Sequence, residues 1–244
     1  REKGLELFSR ILMKPVFEAE KLTLAKDLKI EELRRIADDP QKLAFREFGR
    51  LMHEGSPRGR LATANSISRI QRDDLIRFYD QFYHPKNVMI AISGDLDRKE
   101  AEALVNRHFG NWQPSEGKLE PPPLPRPQEG KIFILPKDLT QSIVIFGWLA
   151  PAKKDAQFFP LKIIDFIVGS GGFRSRIFQE IRTNQGLAYS AGSFYSAKSG
   201  YGIFGAYTLT KSESTVKVIS LLWGIIEDIG KKTLPEKELE ITKN

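Results

Sequence analysis

Arg182 and Tyr189 are the residues whose types and spacing best suit joint chemistry. Seven positions and a turn at Gly186 separate them: an apolar and basic segment runs over residues 173–182, and an alternating stretch starts at Leu187. A strand leaving the end of a helix can aim both side chains into one space. A guanidinium and a phenol could then donate to a carbonyl or an anion. The same residues also suit a helix packed on a hairpin with both side chains merely on the surface, and spacing alone leaves the two readings open. Gly169, Gly171 and Gly172 lie just before this stretch. Backbone amides at a helix start attract anions, but these glycines follow a helix rather than a strand, and no Gly-Lys is followed by Ser or Thr. A phosphate cradle is therefore disfavoured.

Metal chemistry finds little support in the residue types. The histidines are His53, His84 and His108, and none lies four positions from another. His53-Glu54 is the closest fragment of a metal-binding helix and reads as a solvated helix end. His84 sits before Pro85 in a turn, and His108 ends a helix, where a cation suits the dipole. The absence of Cys removes disulfides and thiolate ligands and leaves the redox compartment open. The formal charge of +7 is spread among acidic residues, with no basic block interleaved with aromatics, so no nucleic-acid partner is expected. At 41% hydrophobic the chain can build real cores, yet no apolar run is long enough to span a membrane. The chain has no starting Met and opens as if in mid-domain, so a fragment or a processed chain is expected.

The elements that must position these residues follow from periodicity. Helices are expected over 4–13, 18–37, 41–53, 73–82, 98–109, 155–168 and 211–230, with another beginning at 233. Asp73 or Asp74 is expected to cap the fourth, and Thr210 with Glu213 has capping-box spacing for the seventh. The seventh carries an apolar stripe of Ile219, Leu222, Trp223, Ile226 and Ile229. Strands are expected over 88–93, as a run covered on both faces, and over 131–135 and 141–150. Residues 187–196 and 201–210 read as a hairpin around Gly200. Pro114, Pro121, Pro122, Pro123, Pro125 and Pro127 make a semi-rigid tether. The expected organisation is one unit over 1–118, a linker over 119–130 and a second unit over 131–244. Runs of each element type, without regular strand–helix alternation, indicate an α+β fold.

Several stretches together carry a family resemblance. They are Phe17-x-x-Glu20 opening the long helix, the segment from Arg58 to Ile70, and Phe82-Tyr83-His84-Pro85-Lys86-Asn87 followed by an apolar run and Gly94-Asp95. The most specific is Gly171-Gly172-Phe173-Arg174-Ser175-Arg176 with Ile181-Arg182-x4-Leu187-Ala188-Tyr189-Ser190. With these the chain resembles the insulinase/pitrilysin-type zinc metallopeptidases, which carry an inverted H-x-x-E-H motif. That family includes mitochondrial processing peptidase and the core subunits of the cytochrome bc1 complex. The resemblance implies two related α/β units, each a sheet covered by helices on one face, the first truncated at its N-terminal side and the second at its C-terminal side. It implies a chamber closing on an extended peptide substrate, which Arg182 and Tyr189 bind and polarise. It also implies zinc as the family's cofactor, and a homodimer or a heterodimer with a zinc-bearing homologue.

Here the chain departs from the pattern, because it has no H-x-x-E-H. Glu20 matches the earlier of two Glu residues that the family spaces seven apart on this helix, and the third-ligand position then falls on Asp27, one methylene shorter than Glu. Asp27 is expected to be solvated or salt-bridged, and no metal is expected in this chain. Two explanations stand: a fragment whose zinc helix lies upstream, or a non-catalytic member that supplies the Arg and Tyr, or the chamber wall, to a partner. The Asp at 27 favours the second. A purely structural role, as in respiratory-chain core subunits, is the competing class, and it predicts no peptide binding.

Overall fold

A computed structural model describes residues 2–114 and 120–243. In chain order, α1 (Glu2–Met13), α2 (Ala19–Asp38), α3 (Pro40–Met52), α4 (Ala64–Ser68), α5 (Arg72–Phe82) and α6 (Arg98–Phe109) precede the prolines. After them come β1 (Gln141–Ala150), α7 (Phe158–Asp165), β2 (Ala188–Ala197), β3 (Gly202–Lys211), α8 (Thr215–Lys231) and α9 (Glu236–Lys243). The expected boundary at 118 and 119 lies outside the described residues. The chain divides into two compact units, one of Arg1–Arg35 with Ala62–Pro121, the other of Ile36–Leu61 with Pro122–Asn244. The division at Pro121 falls among the prolines, but the excursion of Ile36–Leu61 into the second unit has no counterpart in the expected organisation.

The first unit is helical because its polar signals sit where helix ends need them. Asp97 accepts from the Glu100 amide at 2.8 Å to start α6, and Thr63 and Ser66 cap each other's amides at α4. At α5 the expected cap is displaced: the helix begins at Arg72, and Asp74 reaches back to accept from the Gln71 amide at 2.7 Å. Arg72 donates to the carbonyls of Val16 and Phe17, each at 3.0 Å, and Tyr79 donates to Leu12 O at 2.7 Å, which ties α5 to the end of α1. The expected strand over 88–93 does not form. A ladder needs a partner, none lies beside it among the described residues, and Met89 stands 94% exposed.

The second unit is built on an antiparallel sheet in the order β1-β3-β2. Alternation sends Val144, Phe146 and Trp148 to one face, where α8 and the segment from α7 to β2 pack on them. Val168, Ile177, Ile181, Val218 and Leu222 are fully buried there, each worth about 2 kcal/mol of apolar burial. The buried stripe of α8 is rotated from the expected one. Val218 and Leu222 point inward, while Ile219 and Trp223 are partly exposed, Trp223 tilted against Phe146 with ring centres 6.1 Å apart. The opposite sheet face is also covered, which corrects the expectation of helices on one face only. Phe45 and Phe48 of α3 pack on Phe194 and Tyr207, with ring centres 5.4–6.0 Å apart. Phe48 occupies space that a Cβ at Gly147 would take.

Other expectations need correction. Residues 131–135 form no strand and are exposed, again with no ladder partner among the described residues. Thr210 does not cap α8. It lies in β3 and donates to Leu187 O at 2.6 Å, and α8 begins only at Thr215, after a short 3-10 turn. The helix expected over 155–168 stops at Asp165 and continues as a wider π turn over Phe166–Ser170. No helix among the described residues is long and apolar enough to cross a membrane.

Candidate functional site: a guanidinium and a phenol at a sheet edge

Two of the glycines before the site do different work. Gly169 is buried against β2, and a Cβ there would overlap the backbone nitrogen of Ser193. That close approach lets the Ser193 hydroxyl donate to Asp165, at 2.5 Å to Oδ1, locking the π turn to the strand. Gly172 has φ +64 and opens a 3-10 turn, in which Ser175 donates to Gly172 O at 2.8 Å. These contacts account for Gly169 and Gly172 through packing and backbone conformation, without an anion.

Arg182 lies in a second π segment, Phe178–Asn184. Wide turns of this kind are uncommon and recur at functional sites. The segment ends in a glycine cap: Leu187 N donates to Ile181 O at 2.9 Å, Gly186 N donates to Arg182 O at 3.2 Å, and Gly186 has φ +61. Each bond spans one residue more than in a Schellman motif, as the end of a π turn requires, and the left-handed conformation still calls for a residue without a Cβ penalty. The chain then enters β2, and at once the ladder slips. Ala188 pairs with Thr210 and Ser190 with Leu209, so Tyr189 is the extra residue of a β-bulge. Bulges re-aim side chains and increase local twist. Tyr189 is 82% exposed.

The geometry brings the two sequence-selected residues together. The guanidinium carbon of Arg182 lies 5.3 Å from the centre of the Tyr189 ring and 4.7 Å from that of Phe178. Phe178 is in turn met edge-on by Phe173, with ring centres 4.8 Å apart. The half-buried guanidinium thus rests on aromatic faces and pairs with no carboxylate among the described residues. Such stacking holds a cation in place without using up its N–H donors. Sequence reasoning passed over Phe178, although its i, i+4 spacing to Arg182 on a helical segment was the available signal. It also passed over Glu180, whose carboxylate pKa is lowered by a hydrogen bond from the Asn184 side chain and by another from Gln185.

The residues considered for a metal are not brought together. Glu20 and Asp27 are both exposed on α2, and no ion pair to either is formed among the described residues. His53 ends α3, its ring nitrogen Nδ1 lying 2.7 Å from Gly49 O and its ring against Tyr201. His84 is 2% exposed, and both its ring nitrogens are enclosed without partners. Among the described residues no group of three or more His, Asp or Glu could hold a metal ion. These residues do not fit a zinc centre.

Comparison with known proteins finds relatives for the chain. The family model of the peptidase M16 inactive domain matches residues 69–244. An uncharacterized zinc protease of Mycobacterium leprae is 27% identical over 250 residues, covering 99% of this chain and 55% of that protein. The non-peptidase homolog YmxG of Helicobacter pylori is 28% identical over 186 residues, covering 75% of this chain and 42% of that protein. The crystal structure of a peptidase M16 inactive domain from Pseudomonas fluorescens superposes with a TM-score of 0.90 at 27% identity, over 100% of this chain and 59% of that one. The chain spans about half the length of the curated relatives it matches.

Proposed function

The chain belongs to the peptidase M16 inactive-domain family, and from that membership we propose that it is the substrate-holding half of a zinc-peptidase assembly, in which Arg182 and Tyr189 grip the backbone of an extended peptide. The observation that carries the reading is the guanidinium of Arg182, seated on Phe178 and Tyr189 and paired with no carboxylate among the described residues. Its N–H groups are free to donate to a peptide carbonyl. β2 lies at one edge of the β1-β3-β2 sheet, and an extended peptide can run along such an edge by main-chain hydrogen bonds. The Tyr189 hydroxyl is carried outward by the bulge and adds a second donor. Donors aimed at a carbonyl oxygen bind it in the ground state and stabilise it more as negative charge develops during acyl transfer. No hydrolytic step is assigned to this chain's own residues. The zinc is proposed to come from a homologue that pairs with it.

Fluorescence titration of an unstructured peptide tests this. Arg182→Ala is expected to weaken binding about ten-fold, the worth of one charge-assisted hydrogen bond, and Tyr189→Phe about three-fold. Equal affinity in wild type and Arg182→Ala would favour a structural role in assembly instead. Zinc analysis of the full-length gene product, alone and with a zinc-bearing homologue, tests the division of labour. Stoichiometric zinc in the lone protein would overturn it.

A further inference from the structure

The turn between Arg182 and Tyr189 is braced by side chains that the peptide-gripping reading leaves unused. Asn184 Nδ2 donates to Glu180 Oε2 at 2.9 Å, and Gln185 Nε2 donates to Glu180 Oε1 at 3.1 Å. Both carboxylate oxygens therefore face the two residues that lead out of the π segment. From α8, Lys217 Nζ donates to Gln185 Oε1 at 2.9 Å. Gln185 is thus held at both ends of its amide, and a continuous chain runs from α8 across the mouth of the turn.

This bracing answers a local weakness. Residues 183–186 are exposed, and their backbone is closed by wide or glycine-dependent bonds, among them Gln185 N to Glu180 O at 3.1 Å. Water competes well for such bonds. Arg182 itself is held by ring faces, which fix distance but have no single preferred direction. The direction of its guanidinium then depends on the backbone of this turn. The lowered pKa of Glu180 agrees with a carboxylate that works as a charged acceptor here.

We propose that Glu180 is a positioning residue: through Asn184, Gln185 and Lys217 it fixes the turn, and through the turn it sets the guanidinium of Arg182 against Tyr189. The inference rests on the peptide-gripping reading only for its consequence on affinity. The positioning itself is read separately.

The experiment is solution NMR of the chain, observing the Arg182 side-chain protons. In wild type, ring currents from Phe178 and Tyr189 should shift the Arg182 Hδ and Hε resonances upfield of those of free arginine. In Glu180→Ala they are expected to return most of the way, while the methyl groups of the buried Ile177 and Ile181 stay in place. Glu180→Gln, which keeps an acceptor oxygen, should retain most of the shift. Unchanged Arg182 resonances in Glu180→Ala would overturn the proposal. So would equal displacement of the Ile177 and Ile181 methyls, since that is general loosening. In a peptide titration of the same samples, Glu180→Ala should bind about five-fold more weakly than wild type, the scale of a lost exposed hydrogen-bond pair. Relaxation of Arg182 in a protein whose wild type binds no peptide would sustain the positioning role and reject the substrate reading.

Discussion

Gly169 and Gly186 flank the site for opposite physical reasons, and a methyl group tells them apart. At Gly169 an added Cβ meets the backbone of Ser193 in the neighbouring strand, and neither side can swing away. Gly169→Ala is expected to cost about 2–3 kcal/mol by overpacking. At Gly186 the surroundings are open and only φ +61 is at stake, so Gly186→Ala is expected to cost about 1 kcal/mol. Urea unfolding midpoints check the order, and a larger loss at Gly186 would contradict the packing described for Gly169. The sequence displays these glycines equally. It signals that the backbone is unusual there without saying whether the demand is for conformation or for closeness. Arg182 and Tyr189 were legible because both bracket a visible turn. Phe178 was not, since an apolar residue on a helix is ordinarily core, and only the geometry shows its ring under a cation.

Among the elements, α3 is the one whose place the sequence hid. The helix itself was expected, over 41–53, and the structure starts it at Pro40, with Asp39 accepting from the Lys42 amide at 3.0 Å. Its destination was not, because an amphipathic stripe records a need for cover and not the surface that meets it. That surface is the glycine-notched face of the sheet. Phe48→Ala is expected to destabilise the second unit by about 2–3 kcal/mol, reduced from a fully buried Phe by partial exposure. Hydrogen exchange should show faster opening of β1 and β3, with α5 unaffected; protection falling equally in α5 would contradict the assignment. The cap supplies a pH test. The folded pKa of Asp39 is lowered from 3.8, first by the Lys42 amide and then by the Lys42 side chain. Its contribution is therefore complete above the ordinary value and is lost as pH falls through the lowered one. Asp39→Asn keeps an acceptor oxygen and should flatten that acid-side slope in a thermal denaturation series. The apolar runs at 88–93 and 131–135 failed as strands for the reason α3 was misplaced: hydrophobicity states an appetite, and pairing needs a neighbour.

For the whole molecule the relevant property is how charge is shared. The formal charge is +7, and counting Lys, Arg, Asp and Glu over the two compact units puts nearly all of it in the second, the one that carries Arg182 and Tyr189. A net field of one sign changes how fast partners arrive more than how tightly they stay. Composition alone showed the excess but not its location, since the units interleave along the chain at Ile36–Leu61. An extended peptide rich in Asp and Glu is therefore expected to associate faster than a Lys-rich peptide of equal length. The difference should be large at about 20 mM salt and small at about 0.3 M, where screening acts within a few ångströms. Stopped-flow fluorescence measures both rates. Because the field belongs to the whole unit, the salt-dependent ratio of the two association rates should survive in Arg182→Ala even as dissociation quickens. Equal rates for the two peptides at low salt would show that the charge has no part in capture, and loss of the ratio in Arg182→Ala would place it in that one guanidinium.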